Sequence, residues 1–230
     1  MQVISIQSQV VHGHVGNSAA VFPMQARGLQ VAAVPTALLS NHPHYPTMRG
    51  RILEPELVAD LLRGVEDRGL VETATVILSG YLGSVEIAAV VADFVERARQ
   101  RNPELLYVCD PVMGDDDLGV FAAVGLVENF RDRLVPMASL ITPNQYELEL
   151  LARCKGRSAE MVAEAAAALI GRGTGGIVVT GCVLDDTAVG EVETILCSSP
   201  DLHRTSVSRL PDPALRHRRS FHRLVRDGCM

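Results

Sequence analysis

The chain has 230 residues, 47% of them hydrophobic, with a mean hydropathy of +0.18 and a formal net charge of −6. That length fits one sizeable core and one domain. No apolar run nears the roughly 18 residues a membrane helix needs, the opening MQVISIQSQVV lacks the basic flank of a signal peptide, and five scattered cysteines without CxxC spacing suggest neither a disulfide framework nor a zinc site. A soluble, cytoplasmic protein with no membrane partner is expected.

Apolar β-branched runs alternate with stretches of helical period along the chain. A first strand is expected over 2–7 (QVISIQ), then HGHVGNSAA, whose glycines suit a strand-to-helix turn, with Asn17 capping a helix over 17–27. Gly13 and Gly16 could let backbone contact a small substrate, but close packing of strand on helix is the simpler reading. A strand over 31–36 leads into 37–52 (ALLSNHPHYPTMRGRI), where rings and prolines break the alternation and suggest a flap over a site. His12, His14, His42 and His44 lie in loops with no third ligand fixed by spacing, so ring stacking or hydrogen bonding to a substrate fits better than zinc.

A helix over 55–67 and a strand over 74–79 (ATVILS) precede SGYLGS, where Tyr81 is either an aromatic face for a flat ligand or a packed loop tyrosine. A helix over 85–101 and a strand over 105–109 (LLYVC) then run into CDPVMGD. Asp110 follows the strand directly, Pro111 stops pairing, and Gly114 allows a turn that returns Asp115 to the same cleft. Two carboxylates so placed can hold magnesium. The alternative is that Asp110 ends the strand while 115–117 form a solvated turn.

A helix over 123–133 and a strand over 138–142 lead to TPNQYELELL, where Asn144 and Glu147 have capping-box spacing for a helix over 145–152. That helix would aim its unpaired amides at the cleft holding Asp110, so Glu147 can cap and also order magnesium-bound water. After a helix over 159–171, GRGTGG (171–176) matches GxGxxG but follows a helix and precedes the last predicted strand, 176–180, and so reads as a loop. The one lysine, Lys155, sits in CKGR and excludes a Walker-type phosphate loop.

Near-continuous hydrophobic strands suit a parallel sheet covered on both faces, an α/β layered fold whose ligands gather beyond the carboxyl ends of the strands. Residues 203–226 carry seven arginines against one acid, Asp212, so the remainder of the chain is acidic and nucleic acid is not expected as a partner.

The segments IQSQVVHGHVGNSAAVFPMQ (6–25), LLSNHPHY (38–45), LSGYLGS (78–84), YVCDPVMGD (107–115) and ITPNQYELELL (141–151) closely resemble pyridoxal kinases of the ribokinase-like superfamily. The resemblance implies an α/β three-layer sandwich with a mostly parallel sheet, a homodimer, and phosphorylation of the 5′-hydroxymethyl of pyridoxal from magnesium ATP. Ser8 resembles the hydroxyl that contacts the pyridine ring, Val15 and Tyr81 its walls, and Pro43 and His44 the flap contacts. Pro43 departs from the threonine common in the family, removing a hydroxyl and a backbone donor. Asp110, Asp115, Thr142, Asn144, Glu147 and Thr180 would serve ATP, with Asp110 and Glu147 toward Mg2+. A hydroxymethylpyrimidine kinase and a non-catalytic pyridoxal-binding protein are the alternatives.

Such kinases also carry a GTGD segment, whose amides form an anion hole and whose aspartate accepts the proton of the attacking hydroxyl. Here RLP (209–211) is followed by DPALRHRRSFHRLVRDGCM, without it. Yet synonymous codons for 215–223 (CTG CGG CAC CGG CGA TCT TTT CAC CGC), read one base later, encode CGTGDLFT. A frameshift is therefore expected near 212–214, with the bases for the missing aspartate now shared by Arg219 and Ser220. The expected organisation is an incomplete kinase domain over 1–210, lacking its C-terminal part, and an out-of-frame arginine-rich tail over 211–230.

Overall fold

A computed structural model describes residues 1–42, 45–198 and 201–209. Pro43, His44 and the expected tail, with Arg219 and Ser220, lie outside the described residues. The first half of the chain runs β1 (Gln2–Val10), α1 (Asn17–Ala26), β2 (Gln30–Leu39), β3 (Gly50–Ile52), α2 (Pro55–Asp67), α3 (Leu70–Thr73), β4 (Ala74–Ser79) and α4 (Val85–Arg101). Next come β5 (Leu106–Cys109), a two-stranded ribbon of β6 (Gly114–Asp115) and β7 (Gly119–Val120), α5 (Leu126–Asn129), a π-turn over Phe130–Leu134, and α6 (Val135–Met137). The remainder is β8 (Leu140–Ile141), α7 (Gln145–Ala152), α8 (Ala159–Ile170), β9 (Ile177–Cys182), β10 (Glu191–Ser198) and β11 (Asp201–Ser208).

Nine strands form one sheet in the order β11-β10-β9-β8-β5-β4-β1-β2-β3. The six from β9 to β2 are mutually parallel, while β3 at one edge and β10 at the other run antiparallel to them and β11 pairs antiparallel with β10. Ile4, Ile6, Ile77, Tyr107, Ile141, Ile177 and Ile195, all 0% exposed, share a core with Phe94 of α4 and Leu148 of α7. Full burial of each aliphatic side chain contributes about 1.5–3 kcal/mol.

On the opposite face α1 is tied down by polar bonds rather than by apolar packing. Asn17 does not cap it: Gly16 occupies that position, and Asn17 is buried one residue inside. Its Nδ2 donates to the carbonyls of Gln7 (3.2 Å) and Val34 (3.3 Å), and its Oδ1 accepts from Ser5 Oγ (2.8 Å), so one side chain links β1, β2 and α1.

Three other expectations are corrected. Residues 37–52 are not all flap, since 37–39 complete β2 and pair antiparallel with β3. The helix expected over 123–133 is divided into α5, the π-turn and α6. Gly114 serves close approach rather than a left-handed turn: an added Cβ would lie 2.6 Å from the Gly119 carbonyl oxygen and 2.9 Å from Tyr146 Cε1.

Candidate active-site cleft

The carboxyl ends of β1, β4 and β5 open into one cleft of about 440 Å³. Five of the candidates line it: Ser8, Val15, Tyr81, Asp110 and Asp115. Gly16 closes its floor, for its φ of 54° and a hypothetical Cβ only 2.3 Å from the Ser8 carbonyl oxygen leave no room for a side chain. Gly13 differs, having a φ of 101° but only a 3.3 Å approach to His42, so conformation rather than packing selects glycine there. Burial raises the Tyr81 phenol above its ordinary value, which keeps a neutral ring against the cleft.

Rings gather at the mouth. Tyr45 stands edge-on to His12 at 5.7 Å and tilted against His42 at 4.7 Å. Among the described residues no group of three or more histidine, cysteine or carboxylate side chains could hold a metal ion. Gln7, Val10, Leu39, His42, Met48 and Phe121 also line the cleft. Of these only His42 was a sequence candidate. Gln7 points inward because its Nε2 is held by Ser5 Oγ at 2.9 Å, and Gly80 lacks a side chain where a Cβ would lie 2.5 Å from Gln7 Oε1.

Behind Asp110 the capping motif has a second use. Asn144 Oδ1 accepts from the Glu147 amide (2.8 Å) and Glu147 Oε2 accepts from the Asn144 amide (2.9 Å), a complete capping box. Glu147 Oε1 also accepts from the Met113 amide at 2.9 Å, and Asn144 Nδ2 donates to the Gly114 carbonyl at 2.8 Å. The loop over 110–115 is thereby fastened to the start of α7. Asp115 Oδ1 accepts from the amides of Asp117 (3.0 Å) and Leu118 (2.6 Å), shaping the ribbon turn while its residue borders the cleft.

Thr142 is bonded through its amide to the Cys109 carbonyl at 3.0 Å, and its hydroxyl to the Asp110 carboxylate. Thr180 bridges in parallel to Asn144, its amide on the Pro143 carbonyl at 2.9 Å. Thr142, Asn144, Glu147 and Thr180 thus lie behind the lining of the cleft, along the rim beside Asp110 rather than within it.

Burial pushes the Asp110 carboxyl up to about 6, offset in part by the bond from Thr142. Glu147 is pushed up to about 7 by burial, with the Asp110 charge adding to the rise and the amides of Asn144 and Met113 opposing it. Neither carboxylate has a Lys, Arg or His partner among the described residues. Two neighbouring carboxyls raised chiefly by burial, with the Asp110 charge adding to the rise at Glu147, fit a divalent cation, whose charge would relieve both.

The layered sheet and this rim define an α/β phosphotransferase architecture of ribokinase-like type. The family model described as phosphomethylpyrimidine kinase matches residues 15–215. The pyridoxine/pyridoxal/pyridoxamine kinase of Bordetella avium is 41% identical over 201 residues, 87% of this chain and 68% of that protein. The pyridoxal kinase PdxY of Granulibacter bethesdensis is 40% identical over 218 residues, 92% of this chain and 75% of its own length. A solved pyridoxal kinase from Leishmania donovani, in complex with ADP and pyridoxamine, superposes with a TM-score of 0.81 at 31% identity, covering 90% of this chain and 72% of that one. The chain belongs to the pyridoxal kinase family of the ribokinase-like superfamily.

Proposed function

We propose that this chain takes a pyridoxal-type vitamer in the cleft, with Ser8 toward the ring and Val15 and Tyr81 as its walls, and the phosphates of ATP along Asp110, Asp115, Thr142, Asn144, Glu147 and Thr180. The observation that carries the reading is an apolar cleft meeting two buried, cation-free carboxylates at the carboxyl ends of parallel strands. Magnesium held by Asp110 and Glu147 would neutralise charge on the transferred phosphoryl group. Asn144 and Glu147 keep the 110–115 loop in place, and the rings of His12, His42 and Tyr45 shield the substrate end from water. Pro43 and His44 belong to the same proposed substrate contact. A homodimer and a cytoplasmic address follow from the family resemblance. Among the described residues no helix is long and apolar enough to cross a membrane.

The reaction also needs a group to accept the proton of the 5′-hydroxyl and amides to stabilise the transferring phosphoryl. Residues 212–230 contain no GTGD. The frame one base over can supply both, and we hold the out-of-frame account of 211–230 for that reason. Each of these two contributions is worth about a hundredfold or more in rate, and they do not simply add. The present chain is expected to bind pyridoxal and to release ADP negligibly in a coupled assay; ordinary turnover would refute that. Sequencing the gene across codons 205–230 tests the frame directly, and an intact reading without an overlapping GGCACCGGCGAT would sink it. The description of the matched family model keeps a hydroxymethylpyrimidine substrate as a second reading. Tighter binding of that pyrimidine than of pyridoxal would favour it.

A further inference from the structure

Beneath the cleft, hydrogen bonds run in one direction through three buried side chains, Asn17, Ser5 and Gln7. Asn17 Nδ2 gives its hydrogens to the main-chain carbonyls of Gln7 at 3.2 Å and Val34 at 3.3 Å, which can only accept. The Asn17 amide therefore cannot be turned over, and its Oδ1 takes the single hydrogen of Ser5 Oγ at 2.8 Å. The Ser5 hydroxyl has only lone pairs left, so Gln7 meets it with Nε2, at 2.9 Å. Two backbone carbonyls, on β1 and β2, thus decide which end of the Gln7 amide is left over, and it is the oxygen.

Gln7 Oε1 accepts no hydrogen bond among the described residues. The only fully buried side-chain N or O atom without a partner among them is Asn129 Oδ1, so Gln7 Oε1 is open to the cleft that Gln7 lines. Room is kept for it at β4. A Cβ on Gly80 would lie 2.5 Å from Oε1 and 3.0 Å from Cγ of Gln7, and Gly80 has no left-handed backbone that would otherwise call for glycine. Val10, Val15 and Leu39 line the same cleft. An acceptor in such apolar surroundings is costly to dry unless a donor meets it.

We infer that Gln7 is a specificity-determining residue: its Oε1, locked toward the cleft, takes a hydrogen bond from an N–H or O–H donor on the ligand's ring. A free amide would serve donors and acceptors alike by flipping, whereas this one disfavours a ligand that turns a lone pair or an anion toward it. Ser5 and Asn17 act through Gln7 as positioning residues. The inference deepens the proposed binding of a pyridoxal-type vitamer and rests on it.

The test measures calorimetric binding of three ligands to the full chain and to Gln7→Met, a near-isosteric change that removes the oxygen. The ligands are pyridoxal, its deaza analogue with C–H in place of the ring nitrogen, and its deoxy analogue without the ring hydroxyl. Gln7→Met is expected to weaken pyridoxal about tenfold or more and to leave unchanged the binding of whichever analogue lacks the donor. Insensitivity of the deaza analogue assigns the donor to the ring N–H; insensitivity of the deoxy analogue assigns it to the hydroxyl. Equal losses for all three ligands, or no loss for pyridoxal, overturn the inference. Ser5→Ala gives a second reading if Gln7→Met loses the circular dichroism of the native chain. It frees the amide to turn, so the preference for pyridoxal over one analogue is expected to shrink about threefold or more; an unchanged preference over both overturns the inference. The hydroxymethylpyrimidine, with its ring amino group, separates this inference from the substrate reading. If it binds in place of pyridoxal and Gln7→Met weakens it, the substrate reading falls and the role of Gln7 stands. Pyridoxal bound equally by both proteins removes the role of Gln7 alone, and no binding of either ligand removes both.

Discussion

Gly16 and Asp110 carry the sharpest expectations for single residues. At Gly16 a methyl group meets both the Ser8 carbonyl oxygen at 2.3 Å and its hydroxyl at 2.6 Å, in a left-handed backbone. Gly16→Ala is expected to cost about 3 kcal/mol, read as a lower urea midpoint, and to weaken pyridoxal binding because Ser8 is displaced. Asp110 and Glu147 take up protons on folding, their carboxyls standing at about 6 and about 7. Their stabilisation is complete below the unfolded values near pH 4 and is lost as pH rises through 6 and 7. Urea unfolding is expected to show stability falling by about 3 kcal/mol or more between about pH 4 and 8, with magnesium restoring part at the upper end. Asp110→Asn should flatten the fall. A profile that rises over that window contradicts the environment described for both groups. Tyr81 and Asp110 were legible in the sequence because each sits just past a strand, and Asp115 through the turn that follows; Ser8, within β1, and Val15 came from the family resemblance. Met48 and Phe121 were not, since only the pairing of β2 with β3 and the 114–120 ribbon bring them to the cleft, nor was Gln7, whose side chain is turned there by the bond to Ser5.

Among the elements, α2, α4 and α7 begin and end where the sequence predicts. Their starts carry local chemistry: Pro55 in the first turn of α2, the Ser84 hydroxyl accepting from the Ile87 amide at 3.2 Å, and the Asn144–Glu147 box. The π-turn was illegible because one added residue per turn hardly alters an amphipathic pattern. β10 and β11 escaped for another reason: EVETILCS alternates and DLHRTSVS is mostly polar, as suits antiparallel strands at an edge, whereas the parallel interior is continuously apolar. Asn144→Ala removes the cap of α7 and the bond to Gly114 together. It is expected to cost about 2 kcal/mol, and exchange of the amides in 113–115 should quicken along with those of the first turn of α7. A loss confined to α7 would mean that the loop is held by other contacts.

Across the whole molecule, protection should follow burial rather than strand length. β1 is almost wholly buried over its nine residues, while the equally regular β11 is almost wholly exposed over its eight. Native-state hydrogen exchange is expected to give β1 and β4 an opening free energy near the global value and β11 a value several kcal/mol lower, about the range of local fraying. Comparable protection in β11 would show that the edge is covered in solution. The layered class and a mostly parallel sheet were legible from the alternation of strands with helices; the strand order was not. The uneven covering was not, because a half-buried Val or Leu and a buried one are the same letter in the sequence.

The fastening of 110–115 to α7 through one carboxylate and one amide side chain has a consequence for ligand association. The backbone of that turn and of the helix start is held in place by Glu147 and Asn144 during folding, so the entropy of ordering it has already been lost when a phosphate arrives. A polyanion would then meet a preset cradle, and its capture should show a small conformational contribution to the heat-capacity change.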